Sequence, residues 1–74
     1  MTLRELKVGQ SGTILRNRTT GMLKQRFMDM GNTKGVKVTV LKIAPLGDPM
    51  EIEIRGYNLS IRKDDADKIE VKEA

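Results

Sequence analysis

Two glutamates in the stretch MEIEIR, Glu51 and Glu53, stand two residues apart, which places both carboxylates on one face of an extended strand. Such a pair can serve as general acid and base, or as oxygen ligands for a hard cation. Their alternation with Met50, Ile52 and Ile54 gives the plainer reading of a polar outward face over an apolar inward one. Asp64, Asp65 and Asp67 form a second acidic cluster, but the glycine that a calcium loop needs at its sharp bend is missing, so they read as a solvated turn. GNTKG, residues 31–35, has half the look of a phosphate loop, yet G-x-x-x-x-G-K-[ST] is not present. With no histidine and no cysteine, the usual nucleophile–base pairs cannot be assembled. The sequence therefore assigns no catalytic, cofactor-binding or metal-ligating residue, and the chain reads as a binding module rather than an enzyme.

Charge offers a different lead. Residues 1–42 hold nine Lys/Arg against two Asp/Glu, a net of +7, whereas residues 43–74 hold five against eight, a net of −3. Either solvated faces simply differ, or a basic face meets an anionic partner such as nucleic acid, phospholipid headgroups or an acidic protein surface. Arg16, Arg18, Lys24, Lys34 and Lys37 would supply phosphate contacts for a nucleic-acid-binding barrel. Single-strand readers also need aromatic platforms, worth about 1–3 kcal/mol per base. This chain has one Phe and one Tyr, and only Tyr57 is expected to be exposed. Nucleic acid is thus the alternative partner, not the expected one.

The elements that carry these residues follow from local pattern. Thr2 and Glu5 form a capping box that predicts one helical turn over residues 3–6, with Leu3, Leu6 and Val8 folding back onto the body. GTILRN is a short first strand. TTGMLKQRFMDMGN is the one sustained helix, capped by Thr19 or Thr20 and stopped by Gly31 with Asn32. At 100° per residue Leu23, Phe27 and Met30 share a narrow arc facing the core, and Met28 falls outside it beside Lys24. VKVTVLKIA reads as a strand with Val36, Val38 and Val40 on one face. Pro45 and Pro49 bracket a loop, a meander follows, and Gly56 and Asn58 suit positive φ in a tight turn around Tyr57. RKDDADKI is turn-like and IEV is a last strand. Hydrophobic content of 38% with 32% charged residues suits one folded domain over residues 1–74. The N-terminus lacks a signal-like apolar region and no apolar run reaches membrane-spanning length, so a cytoplasmic protein is expected. The predicted architecture is mainly β: a small SH3-like barrel of about five antiparallel strands with one α-helix inserted after the first, closed so as to remove sheet edges.

Four segments, LRELKVGQSGTI, LKQRFMDMGNTKGVKVTVL, APLGDPMEIEIRGYNLSIR and DADKIEV, together resemble the FeoA family of ferrous iron transport proteins over nearly the whole chain. One departure is Lys34, where the family usually has proline. The resemblance implies an SH3-like barrel acting in the cytoplasm on FeoB, a membrane protein that has a cytoplasmic GTPase domain and moves ferrous iron inward. Family members are often described as metal-binding; the absence of soft ligands in this chain argues for weak, unselective divalent binding at most. Contact with the partner is expected at exposed apolar residues: Leu46 at the loop tip, with Tyr57 and Met28 forming a small patch, and Lys24 beside Met28 on the basic helix.

Overall fold

The computed structural model describes residues 1–31 and 33–74. Asn32, expected to help stop the helix, lies outside them. Five strands follow the apolar alternation: β1 (Ser11–Asn17), β2 (Lys37–Ile43), β3 (Met50–Ile54), β4 (Tyr57–Ile61) and β5 (Ile69–Glu73). They form one antiparallel sheet in the order β4-β3-β2-β1-β5. Its inward face is Ile14, Val38, Val40, Met50, Ile52, Ile54, Leu59, Ile61, Ile69 and Val71, all buried. The helix α1 (Gly21–Asp29) enters between β1 and β2 and sends Phe27 into this core, with Leu23 and Met30 packed half-buried against it. A fully buried Phe of this kind stabilises by about 1.5–3 kcal/mol. The fold is the expected five-stranded, mainly β barrel.

Strands β1 and β2 each carry a one-residue irregularity. The β1–β5 register shifts between Ile14 and Arg16, and the β2–β3 register shifts between Val40 and Lys42. Strict alternation from Gly12 and Ile14 would bring Arg16 inward, and from Val38 and Val40 it would bring Lys42 inward. The extra residues, Leu15 and Leu41, re-phase each strand so that both cations point out.

The β3–β4 hairpin turns through Arg55 and Gly56, with φ of 52° and 81°, and Ile54 pairs Tyr57 directly across it. Two consecutive positive φ values make a type I′ turn, whose twist matches that of the strands it joins. The expected turn around Tyr57 with Asn58 at positive φ is therefore one step too late: Asn58 is a strand residue opposite Glu53. Gly31 has a φ of 91° and its N–H donates to the Met28 carbonyl (2.9 Å), the stop anticipated for α1.

The N-terminal turn is a 3-10 turn, Leu3–Glu5, in which the Thr2 N–H donates to the Glu5 carboxylate (3.3 Å). Leu3 and Leu6 are buried as expected, but Val8 is 58% exposed and lies over a shallow groove beside Leu41, Pro45 and Pro49. It comes two residues after Leu6 on a chain that is already turning: the Gln10 N–H donates to the Lys7 carbonyl (2.9 Å), which carries Val8 away from the core.

The sheet is rolled but not hydrogen-bonded shut, so the expectation that closure removes both edges is met on one side only. The outer edge of β5 is covered by Met1 and Thr2, through the Val71 N–H to the Met1 carbonyl (2.9 Å) and a Thr2–Glu70 bridge. No strand among the described residues pairs with the outer edge of β4. The short helix α2 (Lys63–Ala66) spans from β4 to β5, burying Ala66, while Asp67 just beyond it meets Arg4 (3.4 Å) and the Thr2 hydroxyl (3.3 Å).

A carboxylate on the inner face has no partner in a core built this way. Ile54→Asp is expected to abolish cooperative unfolding in thermal melts followed by circular dichroism, because total stability is only on the order of 0.1 kcal/mol per residue. A normal melt for that variant would mean that β3 does not face the core.

Candidate functional site

Lys24 and Met28 lie one helical turn apart on α1 and line the same cleft, facing β1. The cleft measures about 650 Å³ and is lined by Ile14, Leu15, Arg16 and Asn17 of β1, by Lys24, Phe27, Met28 and Gly31, and by Thr33 and Lys34. Its floor is the edge of the core, Ile14 and Phe27, both buried. Leu15 and Met28 form apolar walls, 48% and 61% exposed. The bulge in β1 is what puts Leu15 and Arg16 on the surface in succession.

One end of the cleft is tied together by polar contacts. The Lys24 Nζ donates to the Asn17 carbonyl (3.4 Å), and the Asn17 Oδ1 accepts from both the N–H (2.9 Å) and the hydroxyl (2.5 Å) of Thr19. This corrects the expected cap. Thr20 occupies the position before α1 but makes no side-chain cap bond, and the Thr19 hydroxyl is engaged by Asn17 because Thr19 is buried. No residue lining the cleft is a carboxylate; Arg16, Lys24 and Lys34 are its charged lining residues, and Arg16 stands directly opposite Glu70 of β5.

The other two candidates lie apart. Tyr57 is 60% exposed at the start of β4 and lines a separate shallow groove with Arg26, Asp29, Met30 and Asn58. Leu46 is 92% exposed on the β2–β3 loop. That loop joins β3 at Met50, whereas Tyr57 pairs with Ile54, four residues or about 14 Å along the strand. Leu46, Tyr57 and Met28 thus do not make the single patch expected of them. The loop itself is well tied: the Gly47 N–H donates to the Ala44 carbonyl (2.7 Å), and the Asp48 Oδ1 accepts from the Lys63 N–H at the start of α2 (3.2 Å).

Glu51 and Glu53 point out of β3 opposite Ser60 and Asn58, flanked on the β2 side by Lys42 and Thr39. Asp64 and Asp65 sit in the first turn of α2, and Asp67 is engaged by Arg4 and Thr2. Among the described residues no three carboxylates converge into a set that could hold a metal ion. No helix among them is long and apolar enough to cross a membrane. What sequence reasoning missed is the β1 wall of the cleft. Its signal was the apolar pair Ile14–Leu15, which interrupts strand alternation immediately before a cation.

Comparison with known proteins gives a consistent result. The pattern defining the FeoA domain matches residues 1–73. A Porphyromonas gingivalis protein described as a fusion of Fe(2+) transport protein A with the Fe(2+) transporter FeoB is 42% identical over 72 residues, 97% of this chain. The chain spans only 8% of that relative's length. The solution structure of a FeoA protein from Chlorobium tepidum superimposes with a TM-score of 0.88 at 37% identity, covering 99% of this chain and 70% of that one. A Stenotrophomonas maltophilia FeoA, described as an SH3 domain protein, has the same fold (TM-score 0.76, 22% identity, 97% and 89% covered).

Two outcomes follow from the site geometry. Leu46→Asp should stay folded, with stability within about 0.5 kcal/mol of the parent in denaturant titrations, since the side chain buries almost nothing. A larger loss would mean that the tip packs onto the barrel. Anaerobic calorimetry with Fe(II) should detect no site tighter than about 10 μM, given oxygen ligands dispersed over a strand face and a helix turn. A tight one-to-one site would make the chain an iron carrier.

Proposed function

The chain belongs to the FeoA domain family, and we propose that it is an accessory protein of ferrous iron uptake, binding the transporter FeoB at the cytoplasmic face of the membrane and modulating its GTPase or transport activity. The observation that carries this reading is covalent. A segment 42% identical to almost all of this chain occurs within one polypeptide with the transporter in Porphyromonas gingivalis. Domains joined in one chain act at a shared site, which supports association of this domain with the transporter.

The chemistry of the surface agrees. The chain has no histidine or cysteine with which to build a common nucleophile–base pair, and none of the residues lining the cleft is a carboxylate. A role exerted through contact fits such a surface. The Lys24–Met28 cleft is the proposed contact face, because it joins a desolvated apolar floor to a charged rim, the anatomy of an interface anchor. Leu46 and Tyr57, on two other faces, are the alternative contacts that single substitutions separate.

The test is association and phenotype together. Purified FeoB in detergent should retain this protein on an affinity column, cells lacking it should take up less radioactive Fe(II), and the isolated protein should show no GTP hydrolysis. Failure to associate, with uptake unchanged in its absence, would refute the proposal.

A further inference from the structure

We infer that the uncovered edge of β4 is a pairing site for a second copy of this chain, the two β4 strands lying antiparallel in one continuous sheet. The inference concerns a different face from the cleft and stands independently of the FeoB reading.

The sheet has two outer strands, and the chain treats them differently. β5 carries Glu70, Lys72 and Glu73, and its outer edge is covered by Met1 and Thr2. β4 (YNLSI) has no charged residue, no proline and no bulge in its pairing with β3, the devices that ordinarily keep sheet edges apart. In a two-residue hairpin the pair flanking the turn, here Ile54 and Tyr57, exchanges hydrogen bonds, and bonded pairs alternate from there. Tyr57, Leu59 and Ile61 therefore bond to β3, while the N–H and C=O groups of Asn58 and Ser60 point away from it. Both residues are exposed, and no turn or loop among the described residues gives these groups a backbone partner.

One register satisfies all of these groups in two copies at once. Centred on Leu59, it sets Asn58 opposite Ser60 of the second copy, and the reverse, so that each outward N–H meets a C=O. On the outer face the Asn58 amide then adjoins a Ser60 hydroxyl, and on the inner face Tyr57 adjoins Ile61, pairs that suit neighbouring strands. The strands are neutral, so no like charges meet within the paired residues. Just beyond them, Arg55 of one copy comes near Arg62 of the other, a repulsion that salt relieves. A head-to-tail array would need the outer edge of β5 as its second surface, and Thr2 already occupies that edge. Like edges pairing about a two-fold axis close at two copies. A five-residue edge, about 17 Å long, is small beside stable interfaces, which bury roughly 1,200–2,000 Å². The pairing is therefore weak, with a Kd on the order of 0.1–1 mM.

Sedimentation equilibrium of the full chain, up to about 1 mM protein and at about 50 and about 500 mM salt, tests the pairing. The weight-average mass should climb with concentration toward twice that of one chain, and further at the higher salt. Ser60→Pro removes an outward donor without touching the ladder to β3, and Asn58→Lys sets a cation at the seam. Lys72→Gln, on the covered edge strand, is the control, and each variant is first checked for a parental thermal melt. Both β4 variants should remain monomeric where the parent and Lys72→Gln associate; if Ser60→Pro alters the melt, Asn58→Lys decides. A parent that stays monomeric throughout overturns the inference, as does association that both β4 variants retain. Mass growing past two copies would refute closed pairing, and association that weakens with salt would refute the register. A monomeric parent whose β4 variants lose binding to detergent-purified FeoB would instead assign the edge to the transporter.

Discussion

A sheet of five short strands has to enclose its own apolar face, and every other feature of the molecule answers to that requirement. Helix α1 contributes one fully buried side chain, Phe27, and Leu3, Leu6 and Ala66 come from the turns at the two ends, so most of the core is made by the sheet curling over itself. Curl needs local breaks in pairing, and β1 and β2 each supply one. In both strands the inserted residue is leucine and the residue pushed outward is a cation. Packing and surface charge are therefore set by the same two irregularities: an unbulged β1 would bury Arg16, and an unbulged β2 would bury Lys42. Neither is tolerable in an interior with no carboxylate to meet it.

Much of this architecture was legible because its signals are local. Met50, Ile52 and Ile54 alternate without interruption, and β3 lies where that alternation ends. The helical arc of Leu23, Phe27 and Met30 marked the face of α1, and Met28 beside Lys24 was visible as a residue off that arc. What failed was local conformation with two solutions. Gly56 and Asn58 both tolerate positive φ, but the hairpin uses Gly56 with Arg55, because the pairing of Ile52 with Leu59 fixes where the turn must fall. Thr19 and Thr20 are equally good caps in isolation, and only the position of Asn17 decides how the first is used.

The candidate site was half legible for the same reason. Lys24 and Met28 are one turn apart on a helix, so their proximity needs no tertiary information. Their opposing wall, Leu15 and Arg16, comes from a strand whose surface exposure depends on pairing with β5, more than fifty residues along the chain. Leu46 and Tyr57 were grouped with Met28 by exposure alone. Exposure says that a side chain is available, not which neighbours share its face, and here Leu46 lies on the loop before β3 while Tyr57 pairs with Ile54 at its far end.

The two ends of the described chain run along the same part of the sheet. The Met1 carbonyl accepts from Val71 on β5, and the Ala74 N–H donates to the Ser11 carbonyl (3.1 Å) at the start of β1. Both ends are therefore tied to the β1–β5 side of the sheet. When such a barrel is a segment of the same chain as its target, docking is an intramolecular event at an effective concentration of about millimolar for a short flexible linker. A contact of about millimolar affinity would then be about half occupied with no help from bulk abundance. A barrel that diffuses freely has no such concentration in its favour and must reach the same occupancy through tighter contact or higher copy number.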